Sequence, residues 1–452
     1  MFIVSSFGVF VMGLFAGLFR VPSRQTFTVL AYGWAVASGE RQTITTYLWL
    51  TGATTVKHFS CFYRFLGGAL YQARWQLWAR IIRCAAQWVP AEEEIVLIVD
   101  DSTKKKAGRH IEGIGHYRNG AGSARQEYRT LRGLNFVWGL MRVPVPGWPS
   151  QRVSIPIGLS LYLKEEHAQK LHVPYHSRSA LAREMVDFVA AQLPTRRIRA
   201  LSDGGYATKD YLQQLPTTVD VVARMLTTGK LYALPSQPTL PRRGRPPKKG
   251  PLLGSPKTLA RKRSGWQSHL TEAGASIQAW DGVWHTVLPG RVVRLVVRRP
   301  LRVRVRKPGQ CKALPPVEAF FTTDLTLSLD AILGQYRERW AVEITIRDSN
   351  ALAGLGQDQC RKHARAVGAN TLRLVLAAAR TLWFVKHAAR TPAIELRRYR
   401  PWYRQKVAPS QLDIVWTWRE ALHTAGVFPI PRFARDLAEI QQESDNVLPL
   451  AA

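Results

Sequence analysis

The order of apolar runs between residues 95 and 224 constrains this chain more than any other feature. Residues 95–99 (IVLIV) are a short β-branched run and read as a buried strand. Asp100-Asp101-Ser102-Thr103 follow at its end, and 104–126 is a basic, Gly-rich loop. Two more strands are expected at 135–143 and 153–163, joined by the turn-rich PVPGWPSQR. Segment 179–193 has helical period, with Ser179 placed to cap it. Residues 198–202 form a strand leading into Asp203-Gly204-Gly205. A short helix is expected at 207–215 and a further strand at 219–224. The order β-β-β-α-β-α-β predicts an antiparallel meander of three strands, to which the α-linked strands add in parallel.

That is the strand order of the ribonuclease H-like fold, in which the first and fourth strands lie adjacent at the sheet centre. Carboxylates at the ends of both would meet. A third acidic position falls in 336–350 (YRERWAVEITIRDSN), which has no Pro or Gly and reads as one helix. At about 100° per residue, Tyr336, Arg339, Glu343 and Asn350 share a narrow arc. Trp340 and Val342 flank that arc and can anchor the helix in a core. Alone, this is an amphipathic helix with a solvated Arg–Glu pair. Any one Asp at a strand end is usually a turn residue. Three carboxylates in these places suit two Mg²⁺ ions, which are hard and take oxygen ligands. Such a pair serves in-line phosphoryl transfer.

Charge points to the same substrate class. The 452 residues carry 64 Lys+Arg against 31 Asp+Glu, a formal charge of +33 that calls for a polyanionic partner, most commonly nucleic acid. The length implies two or three domains. The four Cys are far apart, with no C-x-x-C pair, which excludes a zinc finger or disulfide framework and fits a reducing compartment. Residues 2–19 are apolar but lack the basic lead and cleavage site of a signal peptide. They read as a buried helix, or as sequence ahead of the true start, rather than a membrane anchor. From 25 to 89 the chain reads helical, and Lys57, His58, Arg64, Arg74 and Arg80 interleave with aromatic residues. Such a module can place basic groups on DNA, or can be a plain bundle.

Tyr336, Arg339 and Glu343, together with Asp203 and Asp100 or Asp101, resemble the motifs of bacterial insertion-sequence DDE transposases. The similarity is to the branch with a Y-x2-R-x3-E-x6-K motif (the insertion-sequence-4-like superfamily), and it spans about residues 25–400. Asn350 stands where that branch has Lys. The family's Lys contacts the terminal phosphate, a contact that Arg347 or Lys362 could supply instead. A D-x-[S/T] pattern fits both Asp100 and Asp101. Asp100 is preferred because Gly108 matches the D-D-T…K-K-G pattern of part of the family. The resemblance implies a ribonuclease H-like catalytic domain, two Mg²⁺ ions (Mn²⁺ substituting) held by these carboxylates, and DNA contacts from Tyr336, Arg339 and Asn350. It also implies a β-rich insertion between Asp203 and Glu343, which are separated by more chain than the fold needs.

Within that interval, 234–262 is a Pro/Gly-rich basic linker. Its Arg243-Gly244-Arg245-Pro246 matches an AT-hook core, which lays Arg side chains into a narrow minor groove, or is a solvated basic loop. Segments 276–284, 291–298 and 301–306 alternate like strands, with arginines making one face very basic. Family members hold a flipped base on an aromatic here. Trp280 and Trp284 are the candidates, with ordinary hairpin packing as the alternative. The expected organisation is a helical DNA-binding region (1–90), a first catalytic part (91–230), linker and insertion (231–318), a second catalytic part with the Glu helix (319–400) and a helical tail (401–452). The expected protein is an α/β DNA transposase that cleaves element ends and transfers strands into target DNA. It would be cytoplasmic and nucleoid-associated, with no membrane partner, and dimeric on double-stranded DNA. An inactive or repurposed DNA-binding relative, or a structure-specific nuclease of the same fold, are the alternatives.

Overall fold

The computed structural model describes residues 5–55, 57–118, 129–235, 247–268, 275–300, 317–390 and 409–427. Arg243, Arg245, the strand expected at 301–306 and the acidic tail lie outside them. In chain order, helices α1 (Ser6–Leu14), α2 (Val21–Val36), α3 (Ile44–Leu50), α4 (Phe59–Phe65) and α5 (Tyr71–Ala86) come first. Strands β1 (Ile95–Lys105), β2 (Gly115–Arg118), β3 (Thr130–Val145) and β4 (Trp148–Tyr162) follow. Then come α6 (Glu165–Lys170), α7 (Arg178–Gln192), β5 (Ile198–Ser202), α8 (Lys209–Leu212), β6 (Val219–Arg224), β7 (Leu231–Tyr232), β8 (Leu252–Gly254) and α9 (Pro256–Leu259). The rest is β9 (Gln267–Ser268), β10 (Ala275–Val283), β11 (Val292–Pro300), β12 (Glu318–Thr322), α10 (Leu329–Glu338), α11 (Ala341–Ala353), α12 (His363–Arg390) and α13 (Gln411–Thr424). The chain divides into two compact units: 1–81, 144–153 and 348–452 form one, and 82–143 and 154–347 the other.

Apart from the strand residues within 144–153, the described elements of the first unit are helices. Phe7 of α1 packs edge-on against Trp418 of α13 and Trp383 of α12, at ring distances of 5.3 and 6.5 Å. The N-terminal apolar segment is thus a short helix that buries Phe7 and Val11, capped by Ser5. Among the described residues no helix is long and apolar enough to cross a membrane. The Arg380 guanidinium lies 5.3 Å from the rings of both Trp34 and Trp418, and burial pulls it down to about 9. Gly368 of α12 lies against residues 66–70, which continue α4 as a π-helical turn. A Cβ there would stand 2.0 Å from the Leu66 carbonyl oxygen, and backbone cannot yield. Gly368→Ala is expected to destabilise the protein by about 1–3 kcal/mol, measured as a lowered denaturant midpoint.

The second unit is a mixed α/β body around one sheet, ordered β2-β3-β1-β5-β6-β12-β11-β10-β7-β8, with β4 paired to β3 and β9 to β10. β1 pairs with β5, and β5 with β6, in parallel. Buried on both faces, they are near-continuously apolar, as parallel strands must be: Leu97, Ile98, Val99, Ala200, Leu201, Val221 and Val222 are all inaccessible. β3 adds antiparallel on the other side of β1. The strands expected at 198–202 and 219–224 form as read.

Three sequence readings need correction here. β1 continues through Lys105, because its antiparallel pairing with β3 persists to Lys105↔Gly133, so both Asp100 and Asp101 sit inside the strand. The cap of α7 is Ser177, whose Oγ accepts from the Ala180 amide at 3.1 Å, and not Ser179. The single helix at 336–350 is two helices. Arg339, Trp340, Val342 and Glu343 amides bond to carbonyls three residues back, tightening the chain between α10 and α11. Val342 is buried, but Trp340 is 59% exposed and anchors nothing in the core.

The strands after β6 extend this same sheet, since β12 pairs with β6 antiparallel and β11 and β10 follow. The described arginines there do not form an open basic face. Arg291 donates to Asp220, Arg294 forks onto Asp281 with two bonds of 2.8 Å, and Arg298 pairs with Glu318. The linker is also less bare than its composition suggests, for α9 carries a capping box on Ser255 and buries Leu259.

Candidate active site

The site starts from register. β1 and β5 pair in parallel up to Val99↔Ser202, so Asp100 and Asp203 are the next residues on adjacent strands, about 4.8 Å apart in the sheet direction. Successive side chains on a strand alternate faces, so Asp100 and Asp101 point apart. The Asp101 carboxylate is fully engaged. It accepts from Asn135 Nδ2 at 2.8 Å, the Tyr206 hydroxyl at 2.9 Å and Arg178 Nη1 at 3.2 Å. These contacts tie β1 to β3, to the turn after Asp203 and to the start of α7.

Asp100 faces the other way and meets Arg339, whose Nη1 donates to Asp100 Oδ2 at 2.9 Å. The Arg339 Nη2 donates to Glu343 Oε1 at 3.3 Å. The Tyr336 hydroxyl donates to Asp203 Oδ1 at 3.3 Å, and its ring rests on Phe320 at 4.7 Å. Of the helix residues that the sequence singled out, Tyr336 and Arg339 thus contact Asp203 and Asp100 directly, and Glu343 joins them through Arg339. Burial pushes the Asp100 carboxyl up to about 7; Arg339 and the Asp101 amide pull it down, and the charges of Asp101 and Asp203 push it up. The tightened turn between α10 and α11 lets one guanidinium span Asp100 and Glu343.

Among the described residues, no three His, Cys, Asp or Glu side chains converge closely enough to hold a metal ion as they stand. The donor set nevertheless fits one. Asp100, Asp203 and Glu343 offer only hard oxygen atoms, the ligands of Mg²⁺, and a guanidinium sits between two of them where compensating positive charge is needed.

The other sequence candidates are placed differently. Trp284 is buried against Phe321, with rings 5.4 Å apart, which is ordinary core packing. Trp280 is half-buried, packed edge-on to Trp266 at 6.1 Å with the Lys262 ammonium 5.7 Å from its ring. Arg347 and Asn350 lie on α11 after Glu343, and Lys362 just before α12. Sequence reasoning missed the partners of Asp101, which come from three separate elements and have no linear signal. It also missed Lys104, buried on β1 with its ammonium 5.1 Å from the ring of Trp138, the residue paired with Asp100. Burial draws that ammonium down to about 7. Beside the site, Phe320, Leu333, Tyr336 and Trp340 line a cleft of about 440 Å³ whose charged rim includes Arg337 and Arg339.

No curated protein matches the chain significantly. A family model described as DDE superfamily endonuclease matches residues 14–283, a span that includes Asp100, Asp101 and Asp203 and ends before Tyr336. With more than half of its length matched, the chain belongs to the DDE superfamily endonucleases.

Proposed function

We propose that this protein is a DNA transposase of ribonuclease H-like fold that cleaves element ends and transfers the freed 3′-OH into target DNA. The observation that carries this reading is the placement of Asp100 and Asp203 side by side just past the last parallel β1–β5 pair, hydrogen-bonded to Arg339 and Tyr336 respectively, with Glu343 on Arg339. The sheet supports it: β4, β3, β1, β5 and β6 follow one another, antiparallel between β3 and β1 and parallel from β1 to β6.

In this reading Asp100, Asp203 and Glu343 hold two Mg²⁺ ions, and Mn²⁺ can substitute. When bound, the ions stabilise the charge on the attacking and leaving oxygens. Tyr336 orients the Asp203 carboxylate through its hydroxyl. Arg339 supplies positive charge to the phosphate beside the cut. Asp101 holds the strand end in place through Arg178, Tyr206 and Asn135, and so serves positioning. Trp280 is the aromatic left to receive an unstacked base, and Arg347, Asn350 and Lys362 are further phosphate contacts. The +33 charge draws double-stranded DNA, and a homodimer would pair two ends in the cytoplasm, on the nucleoid.

The test is incubation of the protein with DNA carrying the sequence that flanks its coding region. Mg²⁺-dependent nicks that leave 3′-OH ends, lost on chelation, are expected. Binding with no cut in either Mg²⁺ or Mn²⁺ would favour a DNA-binding role, the reading suggested by Asn350 in place of Lys. Cleavage with no joining to target DNA would leave a structure-specific nuclease.

A further inference from the structure

We infer that Arg339 is the resident counter-ion of the carboxylate cluster, and that it couples metal entry to capture of a DNA phosphate. The inference rests on the assignment of Asp100, Asp203 and Glu343 as the metal-holding set. One guanidinium satisfies two of those three carboxylates, at 2.9 and 3.3 Å. Arg339 occupies one oxygen of each, Asp100 Oδ2 and Glu343 Oε1, so a cation drawn to these acids competes with it. Two like charges sharing one carboxylate pair at these distances repel each other, the more strongly where water is excluded.

The arrangement also shows where the guanidinium can go. Arg339 borders the cleft of about 440 Å³, together with Arg298 and Arg337. Its Nε makes no hydrogen bond and is shielded from solvent as the side chain stands, so that N–H gains an acceptor only when the guanidinium turns towards the cleft. A phosphodiester oxygen entering the cleft can accept from Arg339 and draw it off the carboxylates. Two N–H groups of one edge then match two oxygens of the phosphate, the bidentate geometry that guanidinium favours. Phosphate capture thereby vacates Asp100 and Glu343. Because coupling between two ligands is reciprocal, metal binding likewise releases Arg339 for phosphate. The protein without DNA holds its carboxylates neutralised and takes up metal weakly, and the site assembles on the substrate.

Mn²⁺ binding to the full chain, followed through the electron paramagnetic resonance signal of free aqueous Mn²⁺, tests this without any cleavage readout. Without DNA, Arg339→Gln is expected to bind Mn²⁺ about tenfold more tightly than wild type, within the usual range of coupling between sites. Arg339→Lys keeps a charge but not the fork, and should fall between the two. Adding a mixed-sequence DNA duplex should tighten Mn²⁺ binding by wild type and leave Arg339→Gln unchanged. Equal Mn²⁺ affinity for wild type, Arg339→Gln and Arg339→Lys, with binding still lost in Asp203→Ala, would overturn the counter-ion role and leave the site assignment intact. An equal gain on adding duplex in wild type and Arg339→Gln would overturn the coupling. Mn²⁺ binding indifferent to Asp203→Ala would instead overturn the site assignment.

Discussion

Asp203→Ala is expected to reduce Mg²⁺-dependent DNA cleavage by about a thousandfold or more, with DNA binding retained. Asp203 stands one residue past the last β1–β5 pair, Val99↔Ser202, level with Asp100 on the neighbouring strand. Removing one of a set of metal-holding carboxylates forfeits several kcal/mol of transition-state charge stabilisation, and each 1.36 kcal/mol is a factor of ten in rate. Asp100→Ala and Glu343→Ala should act alike. Asp101→Asn separates the two neighbouring acids. Its carboxylate is spent on Asn135, Tyr206 and Arg178, so the main effect should be on stability, about 1–3 kcal/mol, read from the denaturant midpoint. Cleavage that survives in both Asp203→Ala and Glu343→Ala would show that the chemistry lies elsewhere.

Arg199→Ala is expected to cost about 3–5 kcal/mol of stability, the range for breaking a buried ion pair by removing one partner. Arg199 lies on β5 and is 1% exposed, yet it forks onto Glu94 at 2.8 and 3.0 Å and reaches Asp324 at 2.5 Å. Its loss leaves Glu94 and Asp324, at the end of the sheet opposite the site, with the more exposed Arg197 as their remaining guanidinium, at 3.4 and 3.6 Å. Asp324 extends the expectation to pH. Burial alone would raise its carboxyl, but bonds from Thr326 and Arg199 outweigh that and hold it at about 2. A carboxylate depressed in the folded state adds stability above its unfolded pKa of about 3.9 and loses it as pH falls towards about 2. That contribution is on the order of 2 kcal/mol. Asp324→Asn should therefore flatten the stability profile between about pH 4 and pH 2. An unchanged acid limb in equilibrium unfolding would refute the assignment.

Strand positions were legible because burial on two faces demands long apolar runs, and residues 198–202 and 219–224 end where those runs end. The length of β1 was not, because polar residues 102–105 are held in the strand by β3, a partner some thirty residues away. The break between α10 and α11 was equally hidden. A tightened turn keeps helical dihedrals and needs neither Gly nor Pro, so the 3.6-residue period of 336–350 passes through it undisturbed.

Sequence by itself determined that two acidic strand ends, a Tyr-Arg-Glu segment and an excess of positive charge belong to one chain. It also determined the order of strands that brings the acids together, since residue type and burial pattern are local properties. Only the tertiary structure decided which Asp faces Arg339. That choice depends on strand alternation counted from the sheet's register, and a shift of one residue would reverse it. Likewise, Arg291 and the arginines of β11 looked like a basic surface until the fold placed Asp220, Asp281 and Glu318 beside them. Charge is written in the sequence, but whether it is left for a partner or neutralised within the fold depends on which neighbours the sheet supplies.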